Sequence, residues 1–175
     1  CACLVGAEMC IRDSRKAMKA KALAKAQTEA RAAMAKNWIA ENGVLTGAAD
    51  GGTIGSAKNY ENFELILDWK TEGEAAMGIR SIPQIALGGK NSGALTGNML
   101  HDNAAPKAAA NGPQEWNTMQ VKVVSDRVTV VLNGVTTAEN VILENACNRE
   151  IPAYAEGQIL LIAGNAPLNV REMYI

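Results

Sequence analysis

The chain is poor in the residues that usually announce chemistry. Its 175 residues include one histidine and one phenylalanine, and aromatics of all kinds make up 4 %. A lone histidine, His101, with no second histidine or cysteine beside it is a poor metal site, and no Ser, His, Asp order suggests a triad. His101 is therefore expected to be an exposed loop residue. Charge of one sign is also missing. Lys and Arg number 17 against 18 Asp and Glu, a formal charge of -1, so nothing attracts nucleic acid or an anionic membrane from a distance. No apolar run approaches the roughly 18 residues of a membrane span, and no GxxxxGK[ST] loop is present to cradle a phosphate.

Cysteine is scarce outside the first ten residues. Cys1, Cys3 and Cys10 lie in the opening string, and only Cys147 lies in the remainder. The string CLVGAEMCIRDS resembles translated sequencing-adapter read-through. Residues 1–14 are therefore expected to be a tail of non-native origin, to be left out of fold reasoning. On that reading the cysteine count says nothing about redox compartment.

What is present is alternation. In Glu115 to Gly134, Met119, Val121 and Val123 alternate with Gln120 and Lys122, and Val128, Val130 and Leu132 follow the same period of two. That is the pattern of half-buried strands. Ser125-Asp126 between the two runs makes an antiparallel hairpin, and Asn133-Gly134 ends it. A hairpin alone is marginal in water, so its apolar face must meet another sheet. NFELILDWK repeats the alternation, with Phe63, Leu65, Leu67 and Trp69 on one face. Asp68, Glu72 and Glu74 gather near its end, where solvated carboxylates are the default and an acid and base pair is the sharper reading.

Around these lie weaker signals. Residues 15–37 have strong helix composition, with Leu23, Ala26, Ala30, Ala33 and Met34 on one stripe. That stripe is mostly alanine and should dock shallowly. NWIAENGVLTGAADGGTIG reads as small strands broken at Asn42-Gly43 and Asp50-Gly51-Gly52. Gly78 to Asn98 alternates short β-prone pieces with glycine-rich turns. VTTAENVILEN supplies one more strand, and GQILLIAGNAPLNVREMYI two more around a Gly164-Asn165 turn. The expected fold is all-β with one N-terminal helix, an antiparallel β-sandwich of jelly-roll or concanavalin A-like type spanning residues 38–175.

From about residue 17 to the end, the succession MAKNW, ENGVLTG, KNYENFELILDWK, GIRSIPQI, SGALTGN, EWNTMQVKVVSDRVTVVLNGV, VILEN, GQILL and APLNVREMYI resembles the 3-keto-disaccharide hydrolase family. The most specific pieces are the FELILDWK strand and the EWN to LNGV hairpin. The resemblance implies an exported bacterial sandwich, secreted or periplasmic, acting on a carbohydrate substrate. Its chemistry is hydrolysis of 3-keto-glycosides. A ketone at C3 acidifies the hydrogen on C2, the enolate expels the glycosidic oxygen from C1, and water adds to the enone. Such a site needs a base near C2, a donor or a divalent metal ion at the enolate oxygen, and an acid for the leaving group.

The departures from the family pattern fall where that chemistry would be. PQVQIWD is PQIALGG here, with Ala86, Gly88 and Gly89 in place of Gln, Trp and Asp. GGLYNN is GALTGN, with Thr96 in place of Tyr. LENYWDR is LENACNR, and LQAHG is LIAGN, with Ile162 and Gly164 in place of Gln and His. Arg80, Gln84, Asn98, Glu144, Asn145 and Arg149 remain at matching positions. The resemblance implies Glu144 as the base, Arg80 and Arg149 as enolate stabilisers, and Gln84, Asn98 and Asn145 as substrate contacts. The loss of aromatic platforms points to the alternative, a catalytically degenerate carbohydrate-binding or structural sandwich. Cofactor, sugar, linkage and oligomeric state are left open.

Overall fold

The computed structural model describes residues 20–80, 83–96, 109–145 and 150–175. The opening tail, His101, Asn98 and Arg149 lie outside these residues. In chain order the elements are helix α1 (Ala20–Asn37), then β1 (Trp38–Glu41), β2 (Val44–Gly47), β3 (Gly52–Gly55), β4 (Phe63–Thr71), β5 (Ala75–Gly78) and β6 (Gln84–Leu87). They continue with β7 (Leu95–Thr96), β8 (Asn117–Val124), β9 (Arg127–Leu132), β10 (Val135–Ile142), β11 (Leu160–Ala163) and β12 (Leu168–Tyr174).

The strands form two antiparallel sheets. One has seven strands in the order β1-β2-β12-β4-β8-β9-β10, and the other has five in the order β3-β11-β5-β6-β7. The expected sandwich is the observed fold. Each sheet buries the alternate residues of its strands against the other. Leu65 and Leu67 of β4, Met119, Val121 and Val123 of β8, and Val128, Val130 and Leu132 of β9 are fully buried. Each such side chain contributes about 1.5–3 kcal/mol relative to exposure. The small sheet answers with Met77, Ile85, Leu87, Leu95, Leu161 and Ala163. The hairpin turns at Ser125, whose φ is 54°.

Helix α1 is peripheral, lying against β1 and β3. Met34, the described member of its apolar stripe, is 38 % exposed. Trp38 holds the junction. Its indole N–H donates to the Gly51 carbonyl at 3.2 Å, and a Cβ at Gly47 would fall 2.6 Å from its ring. At the opposite flank, β10 pairs with β9 through two register shifts, one between Thr136 and Ala138 and one between Ala138 and Val141. Asn140 there is left-handed, with φ 51°.

The EWN to LNG motif has a physical cause. Asn117, 2 % exposed, accepts the Asn111 backbone N–H and the Asn133 side-chain amide, each at 2.8 Å, and donates to the Glu115 carbonyl at 3.0 Å. Asn133 in turn accepts the Thr118 N–H and donates to the Ala109 carbonyl, each at 2.9 Å. Together they fasten residues 109–117 to the end of the central hairpin. Asn117→Ala strands two donors and a carbonyl, and is expected to cost roughly 2 kcal/mol in a urea titration. A loss under a few tenths would mean that water replaces the network.

The outer face of the large sheet is solvated. The Trp116 ring lies beneath Arg171, 4.0 Å from its Cζ, and Lys70, 5.0 Å from its Nζ. Arg171 also pairs with Asp68 at 3.2 Å, and Asp68 accepts the Thr118 hydroxyl at 2.7 Å. Such exposed contacts are weak, so Trp116→Leu is expected to lower unfolding free energy by about 1 kcal/mol or less. A loss several times larger would show that the ring is a core residue rather than a surface one.

Candidate functional site

The outer face of the five-stranded sheet is set by strand register. Gly55, Leu160, Gly78, Gln84 and Thr96 stand in one row, and Thr53, Ile162, Ala76 and Ala86 in the next. Among the described side chains of these rows, only those of Thr53 and Gln84 carry polar atoms; the rest are glycine, alanine or aliphatic. The stripped positions Ala86, Thr96 and Ile162 thus fall on this small-residue face, whereas Ala146, Cys147 and Asn148 lie outside the described residues. Leu160 is 2 % exposed although it lies on this outer face, packed over Gly55 and Gly78.

At one end of this face a cavity of about 550 Å³ is floored by Ala76, Ala86 and Gly88 and rimmed by Glu74, Lys90 and Asn91. Its end wall is the turn between β4 and β5. A Cβ on Gly88 would collide with the Gly73 carbonyl oxygen, and one on Gly164 with the Glu74 carbonyl oxygen. Asn165 fixes the turn by accepting the Glu74 N–H at 2.8 Å. The turn therefore occupies the space that side chains at positions 88 and 164 would need. The acidic residues near the end of β4 part company: Asp68 faces the Arg171 side of the large sheet, Glu72 lines a cleft of about 210 Å³ with Lys70 and Asn169, and Glu74 lines the larger cavity.

Glu144 and Asn145 follow β10, where the chain leaves the sheet. They line a second cavity of about 340 Å³, whose other wall is Glu150, Ile151, Pro152 and Ala153. Asn145 is 3 % exposed and its amide points at the Pro152 carbonyl, 3.5 Å away. Glu144 is half-buried; it, Asn145 and Gln84 all have partners. Glu150, exposed and on the same cavity, is a residue that sequence reasoning passed over. Its only signal was a position directly after the LENACNR segment, in a stretch with no periodicity.

Arg80 is placed elsewhere. It is 2 % exposed and is not among the described residues lining either cavity. Its Nε donates to the Glu61 carbonyl at 2.9 Å, its Nη2 donates to the same oxygen, and its Nη1 donates to the Tyr154 carbonyl at 3.2 Å. Burial draws its pKa below the ordinary value, while Glu61 and Asp126 act the other way. A guanidinium remains a cation throughout the working range. The structure thus brings Glu144 and Asn145 together on one cavity. It sets Gln84 on the sheet face and Arg80 behind the arm at residues 150–157.

Among the described residues, no three His, Cys, Asp or Glu side chains gather closely enough to hold a metal ion. No described helix is long and apolar enough to cross a membrane.

Residues 20–175 match the family described as the 3-keto-alpha-glucoside-1,2-lyase-like domain. Among solved structures, a Parabacteroides distasonis protein named as a glycosyl hydrolase superimposes with TM-score 0.63 at 23 % identity, over 79 % of this chain and 88 % of its own. A second from the same organism, also so named, gives 0.61 at 17 %, over 78 % and 81 %. The carbohydrate-binding module CBM66 of Bacillus subtilis gives 0.57 at 16 %, over 78 % and 88 %. These likenesses concern the fold. No curated protein matches the chain.

Proposed function

Since the chain belongs to the 3-keto-alpha-glucoside-1,2-lyase-like domain family, we propose that it is a glycoside hydrolase-like protein that cleaves 3-keto-glycosides, 3-keto-disaccharides among them. The observation that carries the reading is the cavity of about 340 Å³ where Glu144 and Asn145 face Glu150. Two carboxylates on one cavity supply the two proton-transfer groups that the reaction requires.

The Glu144 carboxylate takes the C2 proton of the 3-keto sugar, and the electron pair of that C–H bond becomes the enolate. The enolate re-forms the C3 carbonyl as the C1–O bond breaks, and Glu150 passes a proton to the leaving oxygen. Water then adds at C1 of the enone and gives a proton back to Glu150, while the proton held by Glu144 returns to C2, so the sum is hydrolysis. Arg149 would meet the enolate oxygen, and Gln84, Asn98 and Asn145 would bind hydroxyl groups. No oxocarbenium ion forms, so the carboxylate spacing rule of ordinary glycosidases does not govern this site. Secretion or periplasmic export from a bacterium belongs to the same reading and is supported by family membership.

A second reading is favoured by the outer face of the small sheet. With Ala76, Gly78, Ala86 and Gly88 on that face, no aromatic ring stacks on a sugar there, which fits a catalytically degenerate sandwich whose glycan contacts are polar rather than stacked. Incubation with a 3-keto-disaccharide, with and without divalent cations and followed by NMR, separates the two. Release of the free sugars above a no-protein control supports cleavage. Calorimetric binding of glycans without release supports the binding module. Neither release nor binding would sink both.

A further inference from the structure

Arg80 combines two features that an arginine adopts only under constraint. It is buried, and its backbone is left-handed at φ 50°, a conformation that costs energy for any residue with a Cβ. Its partners are backbone carbonyls rather than carboxylates: Glu61, 19 residues before it, and Tyr154, 74 residues after it. The arm carrying Tyr154 is held at two further points. Gly157 exchanges both backbone hydrogen bonds with Tyr60, and the Asn145 amide reaches the Pro152 carbonyl. Immediately before the Tyr154 tie, and including the Pro152 one, lie Glu150 to Ala153, the wall that faces Glu144.

We propose that Arg80 is a positioning residue, whose planar fork clamps the Tyr154 arm to the Glu61 loop and thereby holds the Glu150 to Ala153 wall in place opposite Glu144. The proposal rests on the reading of that cavity as the ligand site. Arginine suits the task because its rigid fork directs several N–H groups at once, whereas lysine offers one compact charge on a flexible stem.

The test uses the full chain with Arg80→Lys and Arg80→Met, read first by amide hydrogen exchange. Peptides covering 150–157 are expected to exchange about tenfold or more faster in R80M and to an intermediate degree in R80K, with the β8–β9 hairpin unchanged. Unchanged exchange in 150–157, or an equal rise everywhere, overturns the proposal. Where a 3-keto-disaccharide is turned over, KM should rise about tenfold with kcat within about threefold. A fall in kcat at constant KM would make Arg80 a group that meets the transition state, and overturn the clamp. If the wild-type protein neither cleaves nor binds, the functional reading falls while the exchange result still decides the clamp. Should R80M not fold, R80K decides on the same readouts.

Discussion

Glu144→Gln is expected to slow cleavage of a 3-keto-disaccharide by about 100- to 10,000-fold, the range lost when a positioned general base is removed. The replacement keeps size and shape but turns one acceptor oxygen into a donor and removes the charge, and with it the ability to take the C2 proton. The loss should appear in kcat and kcat/KM together, because the proton is in flight only in the transition state. Glu150→Gln supplies the internal comparison. It should slow substrates with poor leaving groups most, since an acid matters most where the departing alkoxide is most basic. Initial rates at saturating substrate, with thermal unfolding of each variant alongside, measure both. A Glu144→Gln protein that retains rates within about threefold of the parent would move the base elsewhere.

Gly157→Ala is expected to lower unfolding free energy by about 3 kcal/mol or more. Its Cβ would fall 2.5 Å from the Arg80 carbonyl oxygen, 2.6 Å from its carbonyl carbon and 2.7 Å from its Cα. All three are backbone atoms, so no rotamer change relieves the contact. Moving either segment strains the paired hydrogen bonds to Tyr60 or the guanidinium contacts to Glu61 and Tyr154. Gly112→Ala is the control, because its Cβ would meet only the Glu115 side chain at 3.6 Å and beyond. The control should stay within about 0.5 kcal/mol. Equal losses in the two variants would mean that glycine flexibility, and not this close approach, governs the cost.

The large sheet was legible in the sequence because its strands are long and have one dry face. β4 buries Phe63, Leu65, Leu67, Trp69 and Thr71 in strict alternation, and β8 does the same from Asn117 to Val123. The small sheet was harder to read. β5 is AAMG and β6 is QIAL, four residues each, and of their outer positions Ala76, Gly78, Gln84 and Ala86 only one is polar, so polarity does not alternate. β5 accordingly begins at Ala75, inside a stretch whose acidic neighbours drew attention as a strand end. The site was legible only in part for a related reason. Glu144 and Asn145 adjoin a strand and lie in a recognisable motif, whereas Glu150 belongs to an irregular arm placed by distant hydrogen bonds. Arg80 showed its charge in the sequence, but its carbonyl partners lie in segments that only the tertiary fold brings near.

The two offsets in the ladder of β10 bear on what that margin of the sheet can pair with. A sheet margin invites a passing chain when it offers a long, straight series of unused amides and carbonyls. β10 breaks that series twice within eight residues, so a would-be guest could zip up no more than a short stretch before its spacing failed. Straightening the margin, for example by deleting a residue near Asn140, should leave the monomer able to fold yet raise its tendency to form fibrils on storage.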